Sequence, residues 1–179
     1  ALASVYRLIG RILLDMGKYD LAVRSLAKAL YKAGQGDDRR ELVRILGHTA
    51  EALYGQGQYD EAVEVCHKGL ERAHQADGSH EMQRLVIDLT NTLGKVNLYR
   101  EDYAQAREHF RSNSRLAEAG DWPAEKARAL FNLGTIAVQQ RDYGQAEEIF
   151  LRCLSFGHTT ANVLVRASVL LNLAVIYQQ

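Results

Sequence analysis

A short pattern, a tyrosine followed three residues later by an alanine, recurs four times in this chain of 179 residues. The four copies are Tyr19–Ala22, Tyr59–Ala62, Tyr103–Ala106 and Tyr143–Ala146. Successive tyrosines are 40, 44 and 40 residues apart. Self-similarity at a fixed period of this size is typical of solenoids, in which copies of one small unit stack side by side. We therefore predict that the chain is an array of repeats.

A small residue precedes each tyrosine by nine positions. These residues are Gly10, Ala50, Gly94 and Gly134, and Ala174 continues the phase. Around both elements apolar residues recur every three or four positions, which predicts amphipathic helices, and no segment alternates with the period of a strand. Each repeat is expected to contain a helix A with the small residue, a tight turn, and a helix B that begins near the tyrosine. Because glycine inside a helix costs roughly 1 kcal/mol relative to alanine, we expect close packing of two helices there.

Residues that favour turns and caps fall between these helices. Gly17 and Gly57 are placed to end helix A, Asp102 and Asp142 to cap helix B, and Asp38–Glu41 reads as a capping box. The predicted helices are residues 2–16, 19–33, 38–56, 59–76, 80–100, 103–119, 122–140, 143–157 and 161–178. The predicted fold class is thus all-α, with four antiparallel helix pairs plus one extra helix. Within a single array, the predicted repeats are 1–36, 37–78, 79–120, 121–158 and 159–179.

The composition excludes some classes of function. Lysine plus arginine and aspartate plus glutamate both total 22, so the formal charge is zero, whereas a nucleic-acid binder normally carries a basic excess. No apolar run approaches the roughly 18 residues of a membrane span, and no signal peptide is recognisable. Cys66 and Cys153 fall at core positions of the repeat, which favours reduced thiols and a cytoplasmic protein. Since the chain begins at Ala1 and ends within an apolar periodic segment, we expect it to be a fragment.

The segments around the small residues carry a resemblance to a known family. "YRLIG" (6–10), "TNTLG" (90–94) and "FNLG" (131–134), followed by segments such as "GQYDEA" (57–62), resemble the tetratricopeptide repeat. The second repeat departs from this pattern, with Leu46, Thr49 and Ala50 in the corresponding positions. The period near 40 is similar to that of spindle-orientation adaptors, kinesin light chains, Bacillus response-regulator phosphatases and maltose-regulator-like bacterial transcription factors. The resemblance implies a right-handed superhelical solenoid whose concave face, built from the A helices, binds protein segments.

The resemblance also implies which residues would line that groove. The partner-binding candidates are Arg7, Arg11, Arg44, His48, Asn91, Lys95, Arg128, Asn132 and Asn172, with Glu51, Asp88 and Thr135 beside them. In relatives with long repeats, an asparagine at the position of Asn132 and Asn172 pairs with the backbone of an extended peptide. Five cations (Arg7, Arg11, Arg44, Lys95 and Arg128) stand against three acids (Asp15, Glu51 and Asp88), which favours an acidic segment. The alternative is that these residues form only a solvated face.

Catalytic and metal-binding patterns are weak. No serine or cysteine has a histidine and an acid at the spacing of a catalytic triad, so we expect no enzyme activity. Cys66, His67, His74 and His80 do not share one helical face, so we expect no metal and no cofactor.

Two functions remain in competition. The first is a protein–protein interaction scaffold that binds a protein or peptide segment, without nucleic acid or membrane. The second is an intramolecular regulatory or sensor domain, or an oligomerisation domain, of a larger bacterial signalling or transcription-regulating protein. In the last helix, Leu170, Leu171, Leu173 and Ile176 would need a further helix, further repeats or another copy of the chain to cover them, and self-association through this helix is one of these three alternatives. A third class, a helical-repeat protein that reads RNA, would need a strict period of about 35 residues and a basic groove, and this sequence has neither feature.

Overall fold

Every regular element in the computed structural model, which describes residues 2–76, 78–156 and 163–178, is an α-helix. In chain order they are α1 (Leu2–Asp15), α2 (Tyr19–Ala33), α3 (Arg39–Gly55), α4 (Tyr59–His74), α5 (His80–Tyr99), α6 (Tyr103–Ala119), α7 (Pro123–Gln139), α8 (Tyr143–Ser155) and α9 (Val163–Ile176). The prediction of an all-α fold with four helix pairs and one further helix is confirmed. The predicted helix ends at 157 and 161, and the repeat boundary at 158 and 159, lie outside the described residues.

The helices belong to two compact units, one ending at Val96 and the other beginning at Asn97. In the first unit α1 packs on α2, α2 on α3, and α3 on α4; in the second, α6 packs on α7, α7 on α8, and α8 on α9. Helices A also touch one another, since α1 contacts α3 and α7 contacts α9. Within the units, the connections between α1 and α2, between α3 and α4, and between α7 and α8 are short enough to make these three pairs antiparallel. The right-handed superhelix implied by the resemblance stays a prediction.

The recurring small residues pack where the helices of a pair meet. Ala22, Ala62, Ala106 and Ala146 all have 0% exposure. A Cβ atom added to Gly10 would lie 2.6 Å from Cγ of Leu26, and one added to Gly134 would lie 2.4 Å from Cε1 of Phe150. Helix A therefore approaches helix B too closely for a larger side chain, as the sequence predicted.

The recurring tyrosine makes different contacts in different repeats. The ring of Tyr59 lies 5.6 Å from the ring of Tyr54, at the end of the A helix of the same pair. Tyr19, in contrast, packs on the following pair, because a Cβ added to Gly55 would lie 2.4 Å from its Cε1 atom. Tyr19 is also 37% exposed, so its ring is only partly covered.

The turn before each helix B contains one residue in the left-handed region. In the first two repeats it is Gly17, with φ of 68°, and Gly57, with φ of 78°. In the next two it is Glu101 and Arg141, both with φ of 59°. Gly17 and Gly57 follow the end of helix A, as predicted, and the same turn also forms without glycine.

The predicted aspartate caps are present in the second unit. The side chain of Asp102 accepts a hydrogen bond from the backbone N–H of Gln105 at 3.1 Å, and that of Asp142 from Gln145 at 3.1 Å. In the first unit the residues at this position, Lys18 and Gln58, make no side-chain cap.

Within the described part of the chain, no helix combines the length and the apolar character needed to span a membrane. Cys66 and Cys153 are both buried free thiols, as the repeat predicted.

Candidate partner-binding site

Three A helices of the first unit carry the predicted polar face. Its candidate residues are Arg7 and Arg11 on α1, Arg44, His48 and Glu51 on α3, and Asp88, Asn91 and Lys95 on α5. On each helix they are three or four positions apart, and residues at that spacing share one face of an α-helix. Periodicity alone therefore groups them helix by helix, and the contacts between helices decide what the face can do.

Glu41 is the centre of the face. Nε of Arg7 on α1 donates to Oε1 of Glu41 at 2.8 Å, and Nη1 of Arg44 donates to Oε2 at 2.9 Å. The backbone N–H of Glu41 donates to Oδ1 of Asp38 at 3.0 Å, so one half of the predicted capping box is present. The other half is wrong, because the Glu41 carboxylate turns toward the two guanidinium groups. Charge-assisted hydrogen bonds of this kind are roughly twice as strong as neutral ones.

The ionisation of Glu41 follows from these contacts. Burial acts to raise the pKa of Glu41, but the hydrogen bond and charge of Arg7, with further hydrogen bonds from Ser4 and Arg44, outweigh burial and hold the pKa below its ordinary value. Glu41 is thus ionised at neutral pH. Arg7 and Arg44 both donate hydrogen bonds to this carboxylate and balance its negative charge.

Glu81 extends the connection to α5. Nη2 of Arg44 donates to Oε1 of Glu81, which lies in the first turn of α5, and Nη1 of Arg40 lies 3.6 Å from Oε2 of Glu81. Arg7, Glu41, Arg44 and Glu81 form a continuous series of ion pairs across α1, α3 and α5, which we call the ionic ladder. The ladder fixes the A helices of the first unit to one another.

Arg11 and Glu51 lie on the more exposed part of the face. Nη1 of Arg11 is 3.9 Å from Oε2 of Glu51, and Nε of Arg11 is 3.1 Å from Oδ1 of Asp15. The side chains of Arg11 and Glu51 are 48% and 44% exposed, whereas that of Arg7 is only 15% exposed. Lys95 lies with its Nζ 4.5 Å from the centroid of the Tyr54 ring. The charged groups that a partner can reach on this part of the face therefore include Arg11 and Glu51, together with the exposed carboxylates of Asp15 and Asp88.

His48 adds no positive charge to the face. Burial, reinforced by the charges of Arg11 and Arg7, lowers the pKa of His48 to about 4, although Asp88 acts in the opposite direction. Its Nδ1 atom is buried and, within the described residues, has no hydrogen-bond partner. A neutral imidazole is therefore expected at physiological pH.

The expected surplus of positive charge is wrong for the first unit. Besides Asp15, Glu51 and Asp88, this face carries the carboxylates of Glu41 and Glu81, both of which pair with arginines. A signal for Glu41 was available, because Glu41 and Arg44 stand three residues apart on one helix and such pairs meet. No comparable signal pointed to Glu81, whose partners are far away in sequence.

The remaining candidates lie in the second unit or are turned inward. Asn91 and Asn132 are buried, with 8% and 9% exposure. Asn172 is half-buried, and its Nδ2 atom donates to the carbonyl oxygen of Ser168 at 2.8 Å, one turn earlier in α9. Arg128, Asn132 and Asn172 all belong to the second unit. Pairing of these asparagines with a peptide backbone stays a prediction.

The polar residues do not assemble a metal centre. Across residues 2–76, 78–156 and 163–178, no group of three or more histidine, cysteine, aspartate or glutamate side chains is placed to hold a metal ion. The thiol of Cys66, which the sequence placed near three histidines, is buried, and burial raises its pKa to about 12. A thiol in that state is a poor ligand and a poor nucleophile.

Comparison with protein families agrees with the helix arrangement. The family model described as tetratricopeptide repeat matches residues 1–75 and 85–156. No curated protein matches the chain in sequence.

Among solved structures, the chain is similar to a Rap protein complexed with Competence and Sporulation Factor, with 17% identity and a TM-score of 0.77 over 87% of this chain and 42% of that one. It is similar to aspartyl phosphate phosphatase F from Bacillus subtilis, with 22% identity and a TM-score of 0.72 over 84% and 39% of the two chains. A kinesin light chain of Podospora anserina with nearly identical TPR-like repeats gives 14% identity and a TM-score of 0.72 over 98% and 85%. At these identities the likeness concerns the fold. The chain spans less than half the length of the first two proteins.

Proposed function

We propose that this chain, which belongs to the tetratricopeptide-repeat family, is a non-catalytic scaffold that binds a segment of a partner protein on the polar face of α1, α3 and α5. The ionic ladder is the observation that carries the proposal. It joins three successive A helices through the largely buried charges of Arg7, Glu41 and Arg44 and the half-exposed carboxylate of Glu81. Arg11 and Glu51 are exposed beside it.

The ladder makes the face rigid before a partner arrives. The side chain of Glu41 is 8% exposed and accepts from two arginines, so its position is fixed from both α1 and α3. A surface that is already ordered loses less conformational entropy on binding, and more of the contact energy then appears as affinity. Such a face suits recognition better than a set of independent solvated side chains.

The chemistry of the exposed groups suits an extended protein segment. Each residue of an extended backbone offers one N–H donor and one carbonyl acceptor, so recognition needs both kinds of group on the protein. Arg11 supplies donors and Glu51 supplies acceptors, with 3.9 Å between their charged atoms. The acidic preference expected from sequence is not retained for this face, since Glu41 and Glu81 balance its arginines.

A similar solved structure supports ligand binding, and the buried thiols support a cytoplasmic location. A Rap protein of similar fold was determined as a complex with Competence and Sporulation Factor, which supports ligand binding by helical repeats of this kind. The buried free thiols Cys66 and Cys153 favour a reducing compartment, and we place the scaffold in the cytoplasm.

The test begins with peptides selected from a random peptide library on the full chain. Their affinities are then measured by isothermal titration calorimetry for the variants Arg11→Glu and Glu51→Lys. We expect each variant to weaken binding about tenfold or more, because a hydrogen bond to a charged group is worth roughly 1.5–3 kcal/mol. Arg24→Glu is the matched control, since Arg24 is exposed on α2, a B helix. Selected peptides that bind all three variants with equal affinity would refute the proposal.

A second candidate function, self-association, is favoured by the apolar surface of α9. Leu164, Leu170, Leu171 and Val175 are 84%, 50%, 69% and 54% exposed. Exposed apolar side chains on a solenoid helix are normally covered by a neighbouring repeat or by another copy. In a larger regulatory protein the same surface would instead contact another domain. Light scattering on the full chain and on the variant Leu171→Asp separates the possibilities: self-association predicts a multimer that the substitution dissociates, and a monomer in both samples rejects it.

A further inference from the structure

A cavity lined by four arginines lies in the second unit, on a surface that the A-helix candidates do not include. Its volume is about 350 Å³, and its lining comes from α6, α7 and α8. We call it the arginine cavity. Its basic side chains are Arg107, Arg111, Arg115 and Arg152.

The helical spacing explains why these arginines converge. Arg107, Arg111 and Arg115 follow one another every four residues on α6 and therefore share one face of that helix. On α8 the lining residues Glu148 and Arg152 have the same spacing. Because α7 packs against both α6 and α8, the two B-helix faces border the same cavity over α7.

The positive charge of the cavity is only partly balanced. Glu148 is the single carboxylate among its described lining residues. Arg115 pairs with Glu108 at 3.5 Å, and Arg107 donates to the neutral side chain of Gln140. Considering residues 2–76, 78–156 and 163–178, the side chains of Arg111 and Arg152 form no ion pair within 4.0 Å. Together with the hydrogen bond and charge of Lys126, the charge of Arg152 nevertheless acts on the carboxylate of Glu118 and helps to lower the pKa of that group. The four guanidinium groups outnumber the carboxylates beside them, and a bound anion would offset the remaining positive charge.

The floor of the cavity is apolar. Leu130 is 3% exposed, and Leu133 and Ile149 are half-buried. These residues provide a surface for an apolar side chain of a ligand.

We propose that the arginine cavity binds an acidic, extended segment of a partner protein. Its carboxylates would pair with the arginines through two parallel N–H···O bonds, the arrangement that guanidinium and carboxylate groups favour. One apolar side chain would lie on Leu133 and Ile149. The spacing agrees, since residues four apart on α6 are separated by about 6 Å along the axis. Alternate residues of an extended chain are separated by about 6.6 Å.

A peptide fits this cavity better than a nucleic acid. Nucleic-acid binding draws most of its strength from many phosphate contacts over a broad basic surface, whereas this chain has zero formal charge. The apolar residues on the floor of the cavity would make no favourable contact with a charged phosphate backbone. The site is lined by α6, α7 and α8 and shares no residue with the face on α1, α3 and α5.

The probe for the test is a fluorescein-labelled peptide in which glutamate alternates with serine and one leucine stands at the centre. Its binding to the full chain is measured by fluorescence anisotropy, beside the same peptide with glutamine for glutamate, a phosphoserine peptide and an oligothymidine. We expect the glutamate peptide to bind best. Arg111→Glu and Arg152→Glu should each weaken it about tenfold or more, by the loss of a charge-assisted bond. Arg24→Glu, the same charge change on exposed α2, should leave it unchanged.

Arg111→Gln provides a second variant with a smaller perturbation, and circular dichroism checks that each variant keeps its helices. The proposal fails if the glutamate peptide does not bind, if Arg24→Glu weakens it as much as Arg111→Glu does, or if the phosphoserine peptide or oligothymidine binds more tightly. Because Arg11→Glu lies in the other unit, it should not affect this probe. Failure of the proposal for the arginine cavity can therefore be distinguished from failure of the proposal for the face on α1, α3 and α5.

Discussion

The turns between helices A and B reach one backbone conformation with different residues in the two units. In the first unit Gly17 and Gly57 occupy the left-handed position, and the residues that follow make no side-chain cap. In the second unit Glu101 and Arg141 occupy it, and each is followed by an aspartate that caps helix B. The left-handed position is thus occupied by a residue other than glycine where the next residue is an aspartate whose side chain caps helix B.

The cost of a left-handed residue with a side chain and the gain from an aspartate cap are of similar size. A residue with a side chain costs roughly 1–2 kcal/mol in the left-handed conformation. An aspartate cap contributes about 0.5–2 kcal/mol relative to alanine. We infer that what the turn requires is the backbone conformation, and that glycine or a cap are alternative ways to meet it.

The largest effect is expected at the packing that both units share. Ala62→Leu in the first unit and Ala106→Leu in the second should each lower the free energy of unfolding by about 1–3 kcal/mol, because both alanines have 0% exposure and overpacking a core strains it. Urea unfolding followed by circular dichroism measures this. Ala104→Leu is the control, since Ala104 is exposed on the same helix as Ala106. If only one of the two core variants is destabilised, the two units do not share this packing.

The second effect concerns the glycine turn. Gly17→Ala should lower the free energy of unfolding by about 1–2 kcal/mol, since Gly17 has φ of 68° and alanine is strained there. The double variant Gly17→Ala with Lys18→Asp should recover part of the loss by introducing the cap used in the second unit. If the added aspartate brings no recovery, glycine and cap are not interchangeable.

The third effect concerns the capped turn. Asp142→Ala should cost about 1 kcal/mol of unfolding free energy, because the N–H of Gln145 loses its acceptor. Gln58→Ala, at the corresponding position of the first unit, should have little effect, since Gln58 makes no cap. Equal losses in the two variants would contradict the comparison.

The smallest effect is a gain. Arg141→Gly removes the strain of a side chain at φ of 59°, but it also adds conformational freedom to the unfolded chain. The net expectation is a stabilisation below about 1 kcal/mol, because the relief of strain is partly offset. A small rise in the urea midpoint would agree with this, and a clear fall would show that Arg141 contributes contacts that outweigh its strain.

Most of the fold was predictable from local signals. The phase of the tyrosines, alanines and small residues places each helix, and caps such as Asp38, Asp102 and Asp142 act within four residues of their own position. These signals lie within one helix or turn, so they can be read from the sequence alone.

The candidate site was less predictable because its contacts join residues that are distant in sequence. Glu41 reads as a capping residue, yet its carboxylate is taken by Arg7, 34 residues away. The arginine cavity needs α6 and α8 to border the same space over α7, which helical periodicity cannot specify. Asn132 lies where the family places a peptide contact, and only packing determines that it is buried here.

The central claim is that a partner segment binds the polar face of α1, α3 and α5. Its most direct test is chemical-shift mapping by nuclear magnetic resonance, in which a library-selected peptide is added to the isotope-labelled full chain. The account predicts that the largest shift changes fall on residues around Arg11, Glu51 and Lys95. Changes confined to residues from Asn97 onward, with the first unit unaffected, would contradict it.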